Sequence, residues 1–234
     1  MTTAPAELSS PFLDQPVGAP LEELLEHASV EVPLVTDLVR RPEAIAERVL
    51  DAPRVETVVK ASLTATLLGS AAAGWFAFGA FDPAISWEAA LLVPLHLHAA
   101  LIAAIGPLYA VSVMLNARIP LARLVAVMLA AAALSALTLG ATAPLISYLF
   151  HRDHVWLGPL AMVAAFVVSG LAGGLRLHSL LLATAHAHAQ RSSRQMTPEL
   201  LFRIGIFARV GTMLLGLTTS LAVWSVIHTL GGTR

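Results

Sequence analysis

The 234-residue chain is 57% hydrophobic and 12% charged, and its mean hydropathy is +0.77. Soluble domains carry roughly 25% charged residues, so this composition indicates an integral membrane protein. The chain contains no cysteine, which excludes disulfides, thiolate metal sites and cysteine nucleophiles. The net charge of −1 is unevenly distributed, because residues 1–57 carry −7 and the remainder carries +6.

The amino-terminal region is predicted to be an acidic arm outside the membrane. Residues 1–20 contain four prolines, a composition typical of a disordered leader. Residues 21–57 are predicted to form a cytoplasmic acidic amphipathic arm with short helices in "LEELLEHA" and "PEAIAERVLDA". Pro42 falls in the first turn of the second of these helices, a position that tolerates proline.

Five apolar runs between residues 58 and 230 are long enough to span a bilayer, which requires about 20 residues. The predicted spans are 58–81, 89–115, 121–150, 155–175 and 204–230. Residues 176–203 are predicted to form a cytoplasmic helical loop, with Pro198 at the first position of the last helix. The predicted fold is therefore an all-α integral membrane protein with five transmembrane helices.

The orientation of the spans follows from their basic residues, which concentrate on the cytoplasmic side of bacterial membranes. A cytoplasmic amino terminus places twelve of the fourteen basic residues inside and the carboxyl terminus outside. The predicted location is therefore the bacterial inner membrane. The predicted cytoplasmic basic face consists of Arg118, Arg123, Arg176, Arg191, Arg194, Arg203 and Arg209.

Two histidines lie in the apolar segment "PLHLHAA" of the second span. Positions two apart on a helix point about 200° apart, so His96 and His98 cannot both face one metal ion. His98 shares a stripe with Ile102, Ile105 and Tyr109, which predicts that it faces the bundle. Either histidine, with His154 and His228 at similar depth, could bind a divalent metal, and a pair could hold a haem.

The simpler interpretation is that these neutral histidines are bonded to neighbouring helices, so no cofactor is predicted. No acidic or basic residue is predicted at mid-bilayer, and Arg176 is expected to extend towards the cytoplasmic surface. The chain also lacks a nucleophile motif, a phosphate loop and a dinucleotide fingerprint. We therefore predict a protein that is not an enzyme and has no nucleic-acid partner.

Small residues in the fourth and first spans predict close helix packing. They occur in "SGLAGG" and at a four-residue spacing in the first span, and they let helix backbones approach closely. The predicted packing residues are Ser70, Gly74, Ser169, Gly170, Gly173 and Gly174. Packing within the bundle is the favoured interpretation, and a homo-oligomer interface is the alternative.

Parts of the chain resemble a group of bacterial membrane proteins placed beside the Yip/Yif superfamily. The resemblance rests on the segment "LVRRPEAIAERVL", on the five spans and on a hairpin that contains "GPLY", "NAR" and "APLISYLF". The resemblance covers roughly residues 38–180 and implies a five-span topology with a cytoplasmic amino terminus. The D-L-Y-G-P motif of eukaryotic Yip/Yif proteins has no counterpart in "DLVRRP", so GTPase binding is not implied.

The predicted function is that of a non-catalytic inner-membrane scaffold or adaptor of Yip-like type. Its basic face and acidic arm would engage membrane lipid or a protein partner, and the arm could fold back onto the face. Two alternatives remain open: a metal- or haem-binding membrane protein that uses the outer histidines, and a small-solute permease through the proline-containing spans.

Overall fold

The computed structural model describes residues 36–79, 83–115, 119–151, 157–191 and 197–231. Within these ranges the chain forms helices and no strand. The predicted leader, residues 1–20, and the helix predicted in "LEELLEHA" lie outside the described residues. The helices are α1 Pro42–Leu50, α2 Ala52–Ala73, α3 Ser86–Met114, α4 Leu121–His151, α5 Leu157–Arg191 and α6 Pro198–Gly231.

Five of these helices are long and apolar enough to cross a membrane, which confirms the predicted number of spans. The candidate spans are Pro53–Phe78, Pro83–Met114, Leu121–Phe150, Leu160–Ala187 and Leu201–Leu221. Helix α5, which carries the fourth span, continues to Arg191, well past the predicted end of that span at residue 175. The residues after 175 are rich in leucine and alanine and contain no proline. The predicted helical loop is thus largely an extension of α5.

Helix α4 occupies the middle of the bundle. It packs against α2 on one side and α5 on the other, while α3 packs against α6 and α6 also contacts α5. The buried residues of α4 are mostly alanines, including Ala126, Ala130, Ala131 and Ala133. Their small side chains let the surrounding helices approach the axis of α4, so this helix forms the core of the bundle.

The end of α2 departs from regular α-helix. Residues Gly74–Phe78 form a π-helical turn, and a Cβ on Gly74 would overlap the backbone of Ala89 in α3. Pro94 and Pro107 lie inside α3, and Pro144 lies inside α4, yet each of these helices is continuous.

An aromatic pair lies where the end of α2 meets the start of α3. The rings of Trp75 and Trp87 form an edge-to-face pair with centroids 4.6 Å apart, and both side chains are exposed. Exposed tryptophans near helix ends are typical of a membrane interface. Trp156, which the sequence also places near the end of a predicted span, lies outside the described residues.

Candidate functional site

The arm is docked onto the membrane-spanning bundle. Helix α1 packs against α5, α2 and α4 through a buried face of Ile45, Ala46, Val49 and Leu50. Arg176 on α5 donates hydrogen bonds from Nη2 to the backbone carbonyls of Asp37, at 3.3 Å, and Leu38. The arm therefore folds back onto the bundle at the Arg176 end of α5.

The burial of Arg176 corrects the expectation that this side chain extends to the surface. Only 9% of the residue is exposed, and its Nε has no hydrogen-bond partner among the described residues. The guanidinium is covered because α1 and the preceding helical turn, residues 36–40, pack over it. A buried arginine needs acceptors, and the arm supplies them as backbone carbonyls rather than carboxylates.

A second arginine of the predicted basic face also binds the backbone of the arm. Nη2 of Arg123 donates to the carbonyl of Leu50 at 3.3 Å. Leu50 is the last residue of α1, so Arg123 satisfies a helix carboxyl end and lies at the negative end of the helix dipole. Within the arm, Arg48 pairs with Asp37 at 2.5 Å. Together these contacts tie both ends of the described arm to the bundle.

The other predicted basic residues are less involved in the arm. Arg203 pairs with Glu199 at 2.5 Å, one turn earlier on α6. Arg209 is exposed. Arg118 and Arg194 lie outside the described residues, as does the side chain of Arg191.

An apolar groove of about 750 Å³ lies within the spanning part of the bundle; we call it the intramembrane groove. Helices α2 to α6 all contribute to its walls, and none of the described lining residues is charged. It reaches the surface beside Gly170 on α5 and Gly216 on α6, both exposed, where an added Cβ would meet no atom within 4 Å. The polar lining residues are Ser70, His96, Ser135, Ser169, Thr212, Thr219 and Ser220.

The hydroxyl groups of the groove all donate their protons to backbone carbonyls. Ser135 donates to the carbonyl of Ser169 at 3.0 Å and Ser169 donates to that of Ser135 at 2.6 Å, which links α4 to α5. The remaining donations are Ser70 to Thr66 at 2.5 Å, Thr212 to Ala208 at 2.9 Å, Thr219 to Leu215 at 2.7 Å and Ser220 to Gly216 at 2.8 Å. A hydroxyl carries one proton, so these groups present only lone pairs to the groove.

The two membrane histidines have the same local bonding but different surroundings. Nδ1 of His96 lies 2.8 Å from the carbonyl of Leu92, and Nδ1 of His98 lies 2.7 Å from that of Pro94. A carbonyl only accepts, so in each neutral ring Nδ1 carries the proton and Nε2 is the acceptor. His96 lines the groove, whereas Nε2 of His98 is buried without a hydrogen-bond partner among the described residues.

The predicted bundle-facing stripe of His98 is correct only in part, since Ile105 packs against the core and Nε2 of His98 is buried, whereas the other two members are exposed. Ile102 is 70% exposed and Tyr109 is 38% exposed, while the buried face of α3 runs through Pro94, Leu101, Ala104 and Leu108. Both faces of this helix are apolar, so hydrophobicity did not distinguish the side that contacts α6 from the side that meets lipid.

The candidate metal ligands are not brought together within the described part of the chain. No group of three or more His, Asp or Glu residues that could hold a metal ion occurs there. His228 is exposed near the end of α6, and His154 lies outside the described residues. The metal and haem alternatives stay predictions, as does the permease.

The predicted packing residues lie at several contacts. A Cβ on Gly173 would overlap the side chain of Ser135, and one on Gly174 would lie 2.8 Å from Cγ2 of Thr212. Gly170 differs, because it borders the open groove. Ser70, which is fully buried, lines the same groove.

Sequence reasoning missed the closest approach between α2 and α4. A Cβ on Gly69 would lie 2.5 Å from the backbone of Ala136, and one on Gly140 would lie 2.7 Å from the carbonyl oxygen of Gly69. Two glycines in separate spans carry no shared pattern, so their contact has no local signal. The groove was also missed, since it is formed by five helices at once.

The structure defines a class of protein: a helical multi-pass membrane protein with a docked arm and a lateral groove. No protein-family model matches the chain, and no curated protein or solved structure matches it either.

Proposed function

We propose that the protein is a non-catalytic scaffold or adaptor of the bacterial inner membrane, of the five-span Yip-like type, with its amino terminus in the cytoplasm. Its cytoplasmic face, formed by α1 and the adjoining helix ends, engages anionic lipid or a protein partner. The observation that carries the proposal is the docking of the arm by Arg176, whose hydrogen-bond acceptor Leu38 lies 138 residues earlier in the chain.

A docked arm supports a scaffold role because it creates a fixed surface. Burial of an arginine is costly unless its donors are satisfied, so Arg176 favours the position of the arm that supplies carbonyls. The outward side of α1 then presents exposed Glu43 and Glu47, next to exposed Arg40 and Arg41. A surface held in one geometry binds a partner without the entropic cost of ordering a free arm.

Exposed basic side chains around the arm support engagement of anionic groups. They include Arg54 as well as the two arginines before α1. Basic residues close to an anionic membrane surface contribute about 1 kcal/mol each to attraction. The lipid headgroups beneath the arm are therefore the nearest available binding partners.

Site-specific photo-crosslinking in cells tests the proposal. A photoreactive residue replaces Glu47, on the exposed side of α1, and a matched control replaces Val168, which is 52% exposed on the spanning part of α5 and does not line the groove. We expect a discrete adduct with one protein or with anionic lipid from Glu47, and only bulk lipid from Val168. The Glu47 adduct should be lost in Arg176→Leu. Identical adducts from both positions, or an adduct indifferent to Arg176→Leu, would contradict the proposal.

A further inference from the structure

The intramembrane groove has the dimensions of a binding site for a chain-like apolar molecule. Its volume of about 750 Å³ falls within the usual range for small-molecule sites. Along α5 it extends from Met162 to Leu175, which corresponds to about 20 Å at the helical rise of about 1.5 Å per residue. It is elongated along the spanning direction and is lined largely by apolar side chains.

The mouth of the groove opens towards lipid. Gly170 and Gly216 border it on the two helices, and the neighbouring side chains of Val167 and Leu171 are exposed on the spanning surface. Thr212 lies at one end of the groove, where α5 and α6 meet and its Oγ1 is 3.2 Å from the carbonyl oxygen of Gly174. A ligand could therefore enter sideways from the bilayer.

The polar atoms in the groove specify the chemistry of that ligand. Each of the six described hydroxyls donates its proton to a backbone carbonyl. The Nδ1 proton of His96 is likewise committed to Leu92, and no described donor is bonded to its Nε2. The described groove thus offers acceptors without free donors, and a ligand that binds there must bring the proton.

None of the described lining residues is charged, and this limits the chemical class of the ligand further. A phosphate or carboxylate would face oxygen and nitrogen lone pairs with no cation among those residues, in a medium that penalises buried charge. An ether, ester or ketone group could not form a hydrogen bond with these acceptors, because it has no proton to donate. A neutral hydroxyl on an apolar skeleton satisfies both conditions.

We propose that the intramembrane groove binds an uncharged, hydroxyl-bearing lipid, a long-chain alcohol in chemical terms, whose hydroxyl donates to Nε2 of His96. The alkyl chain lies along α5 and α6 in the apolar part of the groove. This site is independent of the cytoplasmic face, so either proposal can fail without the other.

The test is a competition experiment on the purified full chain in nanodiscs of zwitterionic phospholipid. The probe is tritiated oleyl alcohol, and the competitors are unlabelled oleyl alcohol, oleyl methyl ether and oleyl phosphate. We expect saturable binding of the alcohol and competition by the ether that is weaker by about threefold to tenfold, as expected for the loss of one hydrogen bond. Oleyl phosphate should compete poorly. Absence of saturable binding, or competition by the ether or phosphate equal to that of the alcohol, overturns the proposal.

Two pairs of variants locate the site. His96→Leu should weaken binding of the alcohol by about threefold to tenfold, whereas His98→Leu, two residues away and outside the groove lining, should not. Gly216→Phe should block the groove, and its control is Gly106→Phe, since Gly106 is exposed outside the groove and an added Cβ there meets no atom within 4 Å. Unchanged binding in Gly216→Phe, or equal losses within either pair of folded variants, overturns the proposal. Should His96→Leu fail to fold, the glycine pair and the ether competition still decide.

Discussion

Arg176 is the residue on which the arrangement of the arm-bearing end of the bundle depends. Its guanidinium is almost completely buried between α5 and the arm, and it donates to the carbonyls of Asp37 and Leu38. Hydrogen bonds from charged groups are stronger than those between neutral groups. Of the two acceptors, the carbonyl of Asp37 also accepts from the backbone N–H of Arg41 at 2.8 Å. One side chain therefore couples the folding of the arm to the membrane-spanning bundle.

Replacement of Arg176 by leucine should release the arm. We expect the substitution to weaken docking of the arm by roughly 1–3 kcal/mol, because the charged donor to the carbonyls of Asp37 and Leu38 is removed. Trypsin should then cleave after Arg40 or Arg48 faster than in the unmodified protein, whereas the Arg41–Pro42 bond resists trypsin. Arg209→Leu, at an exposed position on α6, is the control and should leave the cleavage rate unchanged. Equal rates in all three proteins would show that Arg176 does not hold the arm.

At the level of helices, the bundle depends on close backbone approach around α4. Gly69 and Gly140 bring α2 within contact of α4, and reciprocal hydrogen bonds between Ser135 and Ser169 join α4 to α5. Apolar surfaces gain little by meeting one another in lipid, so packing distance and interhelical hydrogen bonds carry more of the association than in water. Small residues at these contacts are therefore structurally necessary.

The substitution Gly69→Ala should destabilise the bundle although alanine is the better helix former. The added Cβ would lie 2.5 Å from the backbone of Ala136, so α2 and α4 must separate. We expect a cost of about 1–3 kcal/mol, seen as a lower midpoint of thermal unfolding in detergent. Gly106→Ala meets no atom within 4 Å and should be neutral or slightly stabilising, since helix propensity favours alanine by roughly 1 kcal/mol. We therefore expect the midpoint of thermal unfolding to fall in Gly69→Ala and to stay unchanged or rise in Gly106→Ala. A higher midpoint in Gly69→Ala would refute the close approach of α2 and α4.

At the level of the whole molecule, five apolar helices and one docked arm define two unlike ends. The helical turn 36–40, α1, Arg123 and Arg176 lie together at one end. The connection between α2 and α3, with the Trp75–Trp87 pair, follows one crossing later along the chain. The distribution of basic residues predicts that the arm-bearing end is cytoplasmic.

Cysteine labelling checks this sidedness without background, since the chain contains no cysteine. Glu47→Cys places an exposed thiol on α1, and Ala84→Cys places one in the short helix Pro83–Ile85. With a membrane-impermeant maleimide we expect Ala84→Cys to react in intact cells and Glu47→Cys to react only after permeabilisation. The reverse pattern would invert the topology and remove the cytoplasmic role proposed for the arm.

The parts of the structure that sequence reasoning predicted are those with a local physical signal. Runs of apolar residues gave five spans, and Pro42 and Pro198 occupy the first positions of α1 and α6 as predicted. The stripe assigned to the bundle on α3 was correct for Ile105 but not for Ile102, which faces outward although it is as apolar as the buried Leu101. The sequence suggested that the arm could fold back onto the basic face that includes Arg176, but through opposite charges. The bonds of Arg176 to backbone carbonyls were missed, since these acceptors carry no residue-specific pattern.

The amino-acid sequence alone predicts that this protein lies in a membrane and that five helices are long enough to span it, because the length and hydrophobicity of each helix are properties of contiguous residues. Which faces meet, where α5 and α6 leave a groove and how the arm covers Arg176 were decided only by the tertiary structure. The physical reason is that lipid and protein interior are both apolar, so a spanning helix carries no amphipathic pattern to mark its partner side. Neighbours are instead selected by the fit of small residues and single hydrogen bonds, and that fit exists only when the helices are together.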